Sequence, residues 1–344
     1  MIKSKISVSE QIAKFISSKE TPAVFQLSGG MIAFISDAVA RLGHTKIINL
    51  KHEQSAGFAA EGISRVTGIP SVVLATSGPG ATNLVTPIAS CFYDSTPVIF
   101  ITGQVHTNEI KKNKLQRQNG FQELNITELV SSIVKVAIKV ESATQVLDAL
   151  ETAWSIAQEG RPGPVLIDIP IDVQQMDAIV ESNYKVLDSS PENEVLNKSV
   201  DTLKTLLNQS KSPLILVGGG VRISKSIQQF RNFIEISRIP VVYSLMGKDV
   251  LPNDHELNFG FIGSYGNRTA NQSLMQSDLL IVLGSRLDIR QTGPDIEDFT
   301  NGKRIFRVDI DEHELQGRVI ADFTYRLDLN DFLKKDSISE CQSI

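Results

Sequence analysis

Cysteine and tryptophan are scarce in this chain, with two of the first and one of the second. Cys91 and Cys341 are far apart and match no metal-ligand spacing, so neither a metal nor a redox role is expected of them. Cys91 reads as buried packing and Cys341 as part of a loose tail. Long apolar runs are also missing: a stretch such as 97–101 is of strand length, far below the roughly 18 residues of a spanning helix, so no membrane span is expected. Nor does charge of one sign dominate. With 34 basic against 39 acidic residues the net charge is -5, which suggests neither nucleic acid nor an anionic membrane as a partner. Residues 1–20 begin with two lysines and then alternate polar and apolar at helical spacing, without a signal core or a small-residue cleavage site. A cytoplasmic location is the default expectation.

What is present is a repeated alternation of strand and helix. At 344 residues the length suits two domains of ordinary size rather than three. Short β-branched runs at 24–27, 46–50, 71–76, 97–102 and 165–169 alternate with segments of helical period, the pattern of a parallel sheet covered on both faces. A helix is expected near 81–92, and another that Ser142 caps and that runs through Leu150 and Trp154 to Gly160. A second series starts at 213–217 and continues through 239–244 and 278–283 to 304–310. The predicted fold is therefore α/β, with two doubly wound, mainly parallel-sheet domains at 1–175 and 196–335. The polar stretch 176–195, with Asp188-Ser189-Ser190-Pro191, reads as a linker, and 336–344 reads as a disordered tail.

Chemistry concentrates where strands give way to helices. Glu53, in His52-Glu53-Gln54-Ser55-Ala56-Gly57, leaves a buried strand for a helix and is placed for proton transfer. A second such junction, Ala75-Thr76-Ser77-Gly78-Pro79-Gly80-Ala81-Thr82-Asn83, is a glycine turn able to take a ligand at the carboxyl edge of a sheet. Together these segments resemble the pyrimidine-binding domain of thiamine diphosphate enzymes of the acetolactate synthase group. The resemblance implies that Glu53 is catalytic, its carboxyl group hydrogen-bonding the cofactor's aminopyrimidine. Gly29, Gly30, Pro79, Gly80 and Asn83 would bind thiamine diphosphate, and Gln104, Phe121, Gln122 and Lys135 would line the substrate channel. Leu27 and Ser28 stand where these enzymes usually have tyrosine and proline. Between the motifs, 109–119 is a longer and more basic loop than the resemblance leads one to expect; it reads as a solvated loop or as a contact to an anionic acceptor such as a nucleotide-linked sugar.

The second series carries Val217-Gly218-Gly219-Gly220-Val221-Arg222, a strand, a glycine turn and a helix start whose backbone can take a phosphate or ribose. With Gly260-Phe261-Ile262-Gly263-Ser264-Tyr265-Gly266, Gly284-Ser285-Arg286-Leu287-Asp288-Ile289-Arg290 and Val308-Asp309-Ile310-Asp311, it is similar to the central domain of the same enzymes. That resemblance implies structural FAD held by Arg222, Gly263, Gly266, Gly284, Arg286, Asp309 and Asp311, with Arg290 orienting the acceptor's carboxylate. Asp288-Ile289 replaces the usual Asp-Asp.

The resemblance spans about residues 5 to 335 and only two of the family's three domains. The third, marked by Gly-Asp-Gly and a later Asn-Asn, holds the diphosphate and magnesium; neither motif occurs in this sequence. Magnesium is thus expected only through a domain absent here, and a separate diphosphate-binding chain is a possible partner. The implied function is an acetolactate synthase-like carboligase or decarboxylase acting on pyruvate or another 2-oxo acid, in branched-chain amino acid biosynthesis, incomplete in this chain. The alternatives are a non-catalytic nucleotide-binding or regulatory remnant, and the N-terminal part of an enzyme transferring an acyl unit to a nucleotide sugar. A homodimer through the first domain is implied.

Overall fold

The computed structural model of the chain describes residues 5–113, 115–178 and 193–334. The expected tail, Cys341 and most of the expected linker lie outside the described residues. The chain divides into two compact units, Met1–Leu187 and Asp188–Ile344.

In the first unit β1 (Val24–Gln26), β2 (Ile47–Asn49), β3 (Ser71–Ala75), β4 (Val98–Gln104), β5 (Val136–Lys139) and β6 (Val165–Pro170) form a wholly parallel sheet in the order β2-β1-β3-β4-β6-β5. Alternation along β3 divides the core. Val72 and Leu74 pack on one face with the helices Val8–Ser18, Ala33–Leu42 and Ala143–Gln158. Val73 and Ala75 pack on the other with Glu53–Thr67 and Val85–Tyr93. Both faces are therefore apolar, which is why the central strands read as continuous hydrophobic runs. The chain passes from β1 to β2 on one side and then to β3 on the other, so the connections diverge between β1 and β3. In an open α/β sheet such a divergence opens a crevice at the carboxyl ends.

The second unit repeats the plan. Strands β7 (Pro213–Val217), β8 (Val241–Tyr243), β9 (Asn258–Phe261), β10 (Leu279–Leu283), β11 (Arg304–Asp309) and β12 (Phe323–Arg326) are parallel in the order β12-β11-β10-β7-β8-β9. Here the divergence lies between β7 and β10. The helices Asn193–Gln209 and Ile227–Ser237 cover one face through Leu203, Phe230 and Ile234, while Ala270 and Leu274 of the helix Arg268–Gln276 pack on the other.

Three strands are unexpected from the sequence: β5, β9 and β12, each at the edge of its sheet. Edge strands are half-solvated and carry polar or glycine residues, as in Asn258-Phe259-Gly260-Phe261 and Phe323-Thr324-Tyr325-Arg326, so their apolar signal is thin. The helix expected near 81–92 is two segments, Pro79–Thr82 and Val85–Tyr93. Ser142 occupies the cap position of its helix, but its hydroxyl pairs with Thr144 Oγ1 at 2.8 Å instead of a backbone N–H.

Candidate functional site

Glu53 is the first residue of the helix that follows β2, and His52 caps that helix by accepting the Gln54 N–H at Nδ1. The start of the helix is thereby fixed, and the Glu53 carboxylate, 7% exposed, turns inward over the sheet edge. Oε2 accepts a hydrogen bond from Asn83 Nδ2 at 2.9 Å. Oε1 faces Gly80, where an added Cβ would stand 3.2 Å from it. Among the described residues Oε1 has no hydrogen-bond donor, so an acceptor site lies over a bare patch of backbone.

Thr76 draws the remaining pieces together. A Cβ at Gly29 would meet Thr76 Cβ at 2.5 Å, and one at Gly80 would meet Thr76 Cγ2 at 2.7 Å. The turns after β1 and β3 thus approach across the divergence point by having no side chain there. Thr76 Oγ1 also accepts the Met31 N–H at 3.4 Å. Beside this contact Gly30 opens onto empty space, with nothing within 4 Å of an added Cβ. The Ser77 hydroxyl in the same turn is buried without a partner among the described residues. The structure therefore brings Glu53, Gly29, Gly30, Pro79, Gly80 and Asn83 to one edge of one sheet.

The channel residues behave differently. Gln122 lies against the glycine turn: a Cβ at Gly78 would be 2.8 Å from Gln122 Cβ, and Gln122 itself has φ 64°. Phe121 beside it is 79% exposed. Gln104 turns inward, donating to Asp168 Oδ2 at 2.9 Å and to Leu124 O at 2.7 Å, so its amide is committed to the protein. Lys135 is separated from Glu53: it precedes β5, its N–H bonds Pro164 O at 2.8 Å, and it therefore lies at the amino edge of the sheet. Its Nζ donates to Glu159 O at 2.5 Å, and burial holds the ammonium below the usual lysine range. The basic loop is knitted by Glu123, whose carboxylate accepts the N–H groups of Lys111 at 3.0 Å and Asn119 at 2.7 Å.

In the second unit the carboxyl ends of β7 and β10 meet through glycine. A Cβ at Gly218 would fall 2.0 Å from Gly284 O, and Gly220 N–H donates to that oxygen at 3.1 Å. Gly284 has φ 59°, and its N–H donates to Val308 O at 3.0 Å, bringing Asp309 alongside. Arg222 pairs with Asp249. Arg286 is 3.9 Å from Asp288, which caps the helix Ile289–Thr292. Asp311 caps the helix Glu312–Leu315. Gly263 approaches the backbone of Arg290, whose side chain is exposed. Gly266 packs on Phe261 O.

Three structural residues carry no signal in the sequence. Thr76 is one small polar residue among several in its turn. Asp168 lies inside an otherwise apolar strand, 3% exposed, and burial pushes its carboxyl up to about 6. Arg307 is fully buried in β11, where Nη2 donates to Ser285 O at 2.9 Å and Arg286 O at 3.2 Å while Nε and Nη1 have no partner among the described residues. Its guanidinium, lowered by burial, holds the loop after β10 from below. The buried Cys91 is a free thiol, pushed well up by burial. Among the described residues no group of three or more His, Cys, Asp or Glu side chains is placed to hold a metal ion. No helix among them is long and apolar enough to cross a membrane.

The chain matches two family descriptions in series: "Thiamine pyrophosphate enzyme, N-terminal TPP binding domain" over residues 6–129 and "Thiamine pyrophosphate enzyme, central domain" over 200–335. It is 36% identical over 320 residues to the probable acetolactate synthase large subunit of Methanococcus aeolicus, covering 91% of this chain and 52% of that protein. It is 36% identical over 313 residues to the acetolactate synthase large subunit of Corynebacterium glutamicum, covering 90% of this chain and 49% of the relative. Against the acetolactate synthase isozyme 1 large subunit of Escherichia coli K12 the identity is 37% over 306 residues, 89% of this chain and 53% of the relative. The chain thus spans about half the length of the curated relatives it matches. Two parallel α/β units, a buried carboxylate at the divergence point of the first and two consecutive domain matches lead to one conclusion: the chain belongs to the thiamine pyrophosphate enzyme family.

Proposed function

We propose that this chain supplies the pyrimidine-binding and central domains of an acetolactate synthase-like carboligase that acts on pyruvate or another 2-oxo acid. One observation carries the reading: Glu53 is buried at the sheet edge with Oε2 held by Asn83 and Oε1 turned over the bare backbone of Gly80. The cradle fits an aminopyrimidine, with a carboxyl for a ring nitrogen, the unpartnered Ser77 hydroxyl nearby and open space beyond Gly30. When bound, thiamine diphosphate supplies a carbon acid that adds to the 2-oxo acid and stabilises the electron pair left by decarboxylation. The protein's part is local. Asn83 and the start of the helix Glu53–Thr67 orient the Glu53 carboxyl, which holds a proton at the ring nitrogen. Gly29, Gly80 and Thr76 set the depth of the cradle.

In the second unit the glycine approach between β7 and β10, with Arg222, Arg286, Asp309 and Asp311 around it, suits a nucleotide, and we assign FAD to it in a structural role. Absorbance of the purified chain in the flavin band after incubation with FAD and desalting tests this assignment. The exposed Phe58 and Tyr93, on helices packed beside the Glu53 cluster, suit a homodimer through the first unit. We assign the chain to the cytoplasm.

The decisive experiment is calorimetric titration with thiamine diphosphate and magnesium, alone and with a diphosphate-binding domain taken from a relative, followed by assay of pyruvate decarboxylation. Complementation restores turnover, and Glu53→Gln lowers it by about 100-fold or more with an unchanged unfolding midpoint. Equal turnover by wild type and Glu53→Gln overturns the reading.

A second reading is favoured by the loop at 109–119. Glu123 spends its charge on backbone N–H groups, whereas Lys112 and Arg117 remain exposed on the same loop as Gln122. That charge suits an acceptor bearing phosphate, such as a nucleotide-linked sugar. Acyl transfer to such an acceptor, lost in Lys112→Glu/Arg117→Glu while pyruvate decarboxylation persists, distinguishes this reading from coupling of two pyruvates.

A further inference from the structure

Asp168 sits on β6 opposite Thr102 of β4. Its Oδ1 accepts the Thr102 hydroxyl at 2.6 Å and its Oδ2 accepts Gln104 Nε2 at 2.9 Å. The same Nε2 donates its second hydrogen to Leu124 O at 2.7 Å, while Gln104 Oε1 accepts the Val105 N–H at 3.0 Å. One amide therefore grips both feet of a loop, the strand exit at Val105 and the return at Leu124.

An amide has a donor end and an acceptor end, and each foot needs the correct one. If the Gln104 amide turned over, its oxygen would face Leu124 O and its NH2 group would face the Val105 N–H. A carboxylate offers only acceptors, so Asp168 adds a third partner that demands the same sense of the amide as Leu124 O and the Val105 N–H. Between the two feet the loop bears Gln122, with φ 64°, whose O would lie 3.0 Å from a Cβ at Gly78. Gly78 opens the turn that carries Gly80 and Asn83 to Glu53.

We propose that Asp168 is a positioning residue for the Glu53 cluster: by reinforcing the amide sense that Leu124 O and the Val105 N–H also require, it steadies the two feet of the loop at Val105 and Leu124 and holds Gln122 against the glycine turn. Its route to the Glu53 cluster runs through Gln104. The functional meaning of this clamp rests on the reading of the Glu53 cluster as the cofactor site, whereas the clamp itself does not. What position 168 must supply is an acceptor facing Gln104. Asn can meet that need, its oxygen toward Gln104 and its NH2 toward the Thr102 hydroxyl, which can accept; Ala cannot.

The test is hydrogen exchange of the full chain without ligand, comparing wild type, Asp168→Ala, Asp168→Asn and Thr102→Val. In Asp168→Ala protection of the Val105 amide and of 118–124 falls by about tenfold or more relative to the strands β1 and β3. Asp168→Asn restores it. Thr102→Val, which removes the other hydrogen bond to Asp168 and leaves Gln104 engaged, loses protection only in step with its unfolding midpoint. Should Asp168→Ala not fold, Gln104→Met removes the amide without a large cavity and carries the same expectation. Unchanged loop protection in Asp168→Ala, equal loop loss in Thr102→Val at matched stability, or no rescue by Asn overturns the proposal. Because exchange is read without cofactor, its failure leaves the Glu53 reading standing, and failure of the Glu53→Gln assay leaves the clamp standing.

Discussion

Asn83 Nδ2 donates to Glu53 Oε2 at 2.9 Å, and this bond ties the turn after β3 to the helix that starts after β2. Glu53 is 7% exposed, so loss of its donor leaves a nearly buried acceptor without compensation. Asn83→Ala is expected to cost about 1.5–3 kcal/mol in urea denaturation, more than a surface substitution. A cost within about 0.5 kcal/mol would mean that water replaces the amide and that the bond does not set the carboxylate's place.

Two glycines press on the same threonine from different directions, and one substitution separates them. Gly80→Ala directs its methyl at Thr76 Cγ2, 2.7 Å away, whereas Gly29→Ala directs its methyl at Thr76 Cβ, 2.5 Å away. Each is expected to destabilise by about 1–3 kcal/mol through overpacking. Thr76→Ser deletes Cγ2 and keeps Cβ. It should therefore recover most of the loss in Gly80→Ala and little of that in Gly29→Ala, as read from thermal unfolding of the paired variants; equal rescue of both would refute the packing shown by these distances.

One carboxylate gathers three N–H groups of the basic loop. Glu123 accepts the N–H groups of Lys111, Asn119 and Gly120 at 3.0, 2.7 and 3.4 Å. Glu123→Ala should leave the unfolding midpoint nearly unchanged, because the loop is largely exposed, yet speed tryptic cleavage after Lys112 and Arg117 severalfold. Resistance to trypsin equal to the wild type's would show that the loop is ordered by other contacts.

The parts of this chain that were legible in its sequence are those where one physical cause acts alone. Central strands such as β3 and β10 are buried on both faces, so the hydrophobic run reports them directly. The Glu53 cluster is legible because a carboxyl residue and a glycine turn each follow a strand. Edge strands escaped because solvent dilutes the pattern, as in β9 and β12. Lys135 escaped for a different reason. Its place before β5 puts it at the amino edge, and β5 was itself invisible, so the sequence offered no means of knowing which end of the sheet the lysine occupied. Asp168 and Arg307 escaped because a buried charge inside a strand is defined by its partners, which lie far away in sequence.

Asp168 also makes a pH signature. Burial pushes its carboxyl from the ordinary 3.8 up to about 6, against the Thr102 and Gln104 hydrogen bonds and the Lys139 charge, which favour ionisation. The folded protein therefore holds this proton up to about pH 6, whereas the unfolded chain releases it near 3.8. Between those values the native state binds more protons than the unfolded state, so the Asp168 contribution to stability falls as pH rises. Below both values the contribution is level; above both the native state bears the full cost of a buried carboxylate, about 3 kcal/mol at 1.36 kcal/mol per pH unit. Glu10, held below the usual range first by the Ser7 N–H, contributes in the opposite sense, so the raw stability curve mixes the two. The difference between wild type and Asp168→Asn isolates the effect, since the amide does not titrate and keeps the bond to Gln104. Urea denaturation across this range should show Asp168→Asn gaining on the wild type as pH rises, with the gain complete just above pH 6. A difference that stays flat would mean that Asp168 ionises as freely in the folded protein as in the unfolded chain.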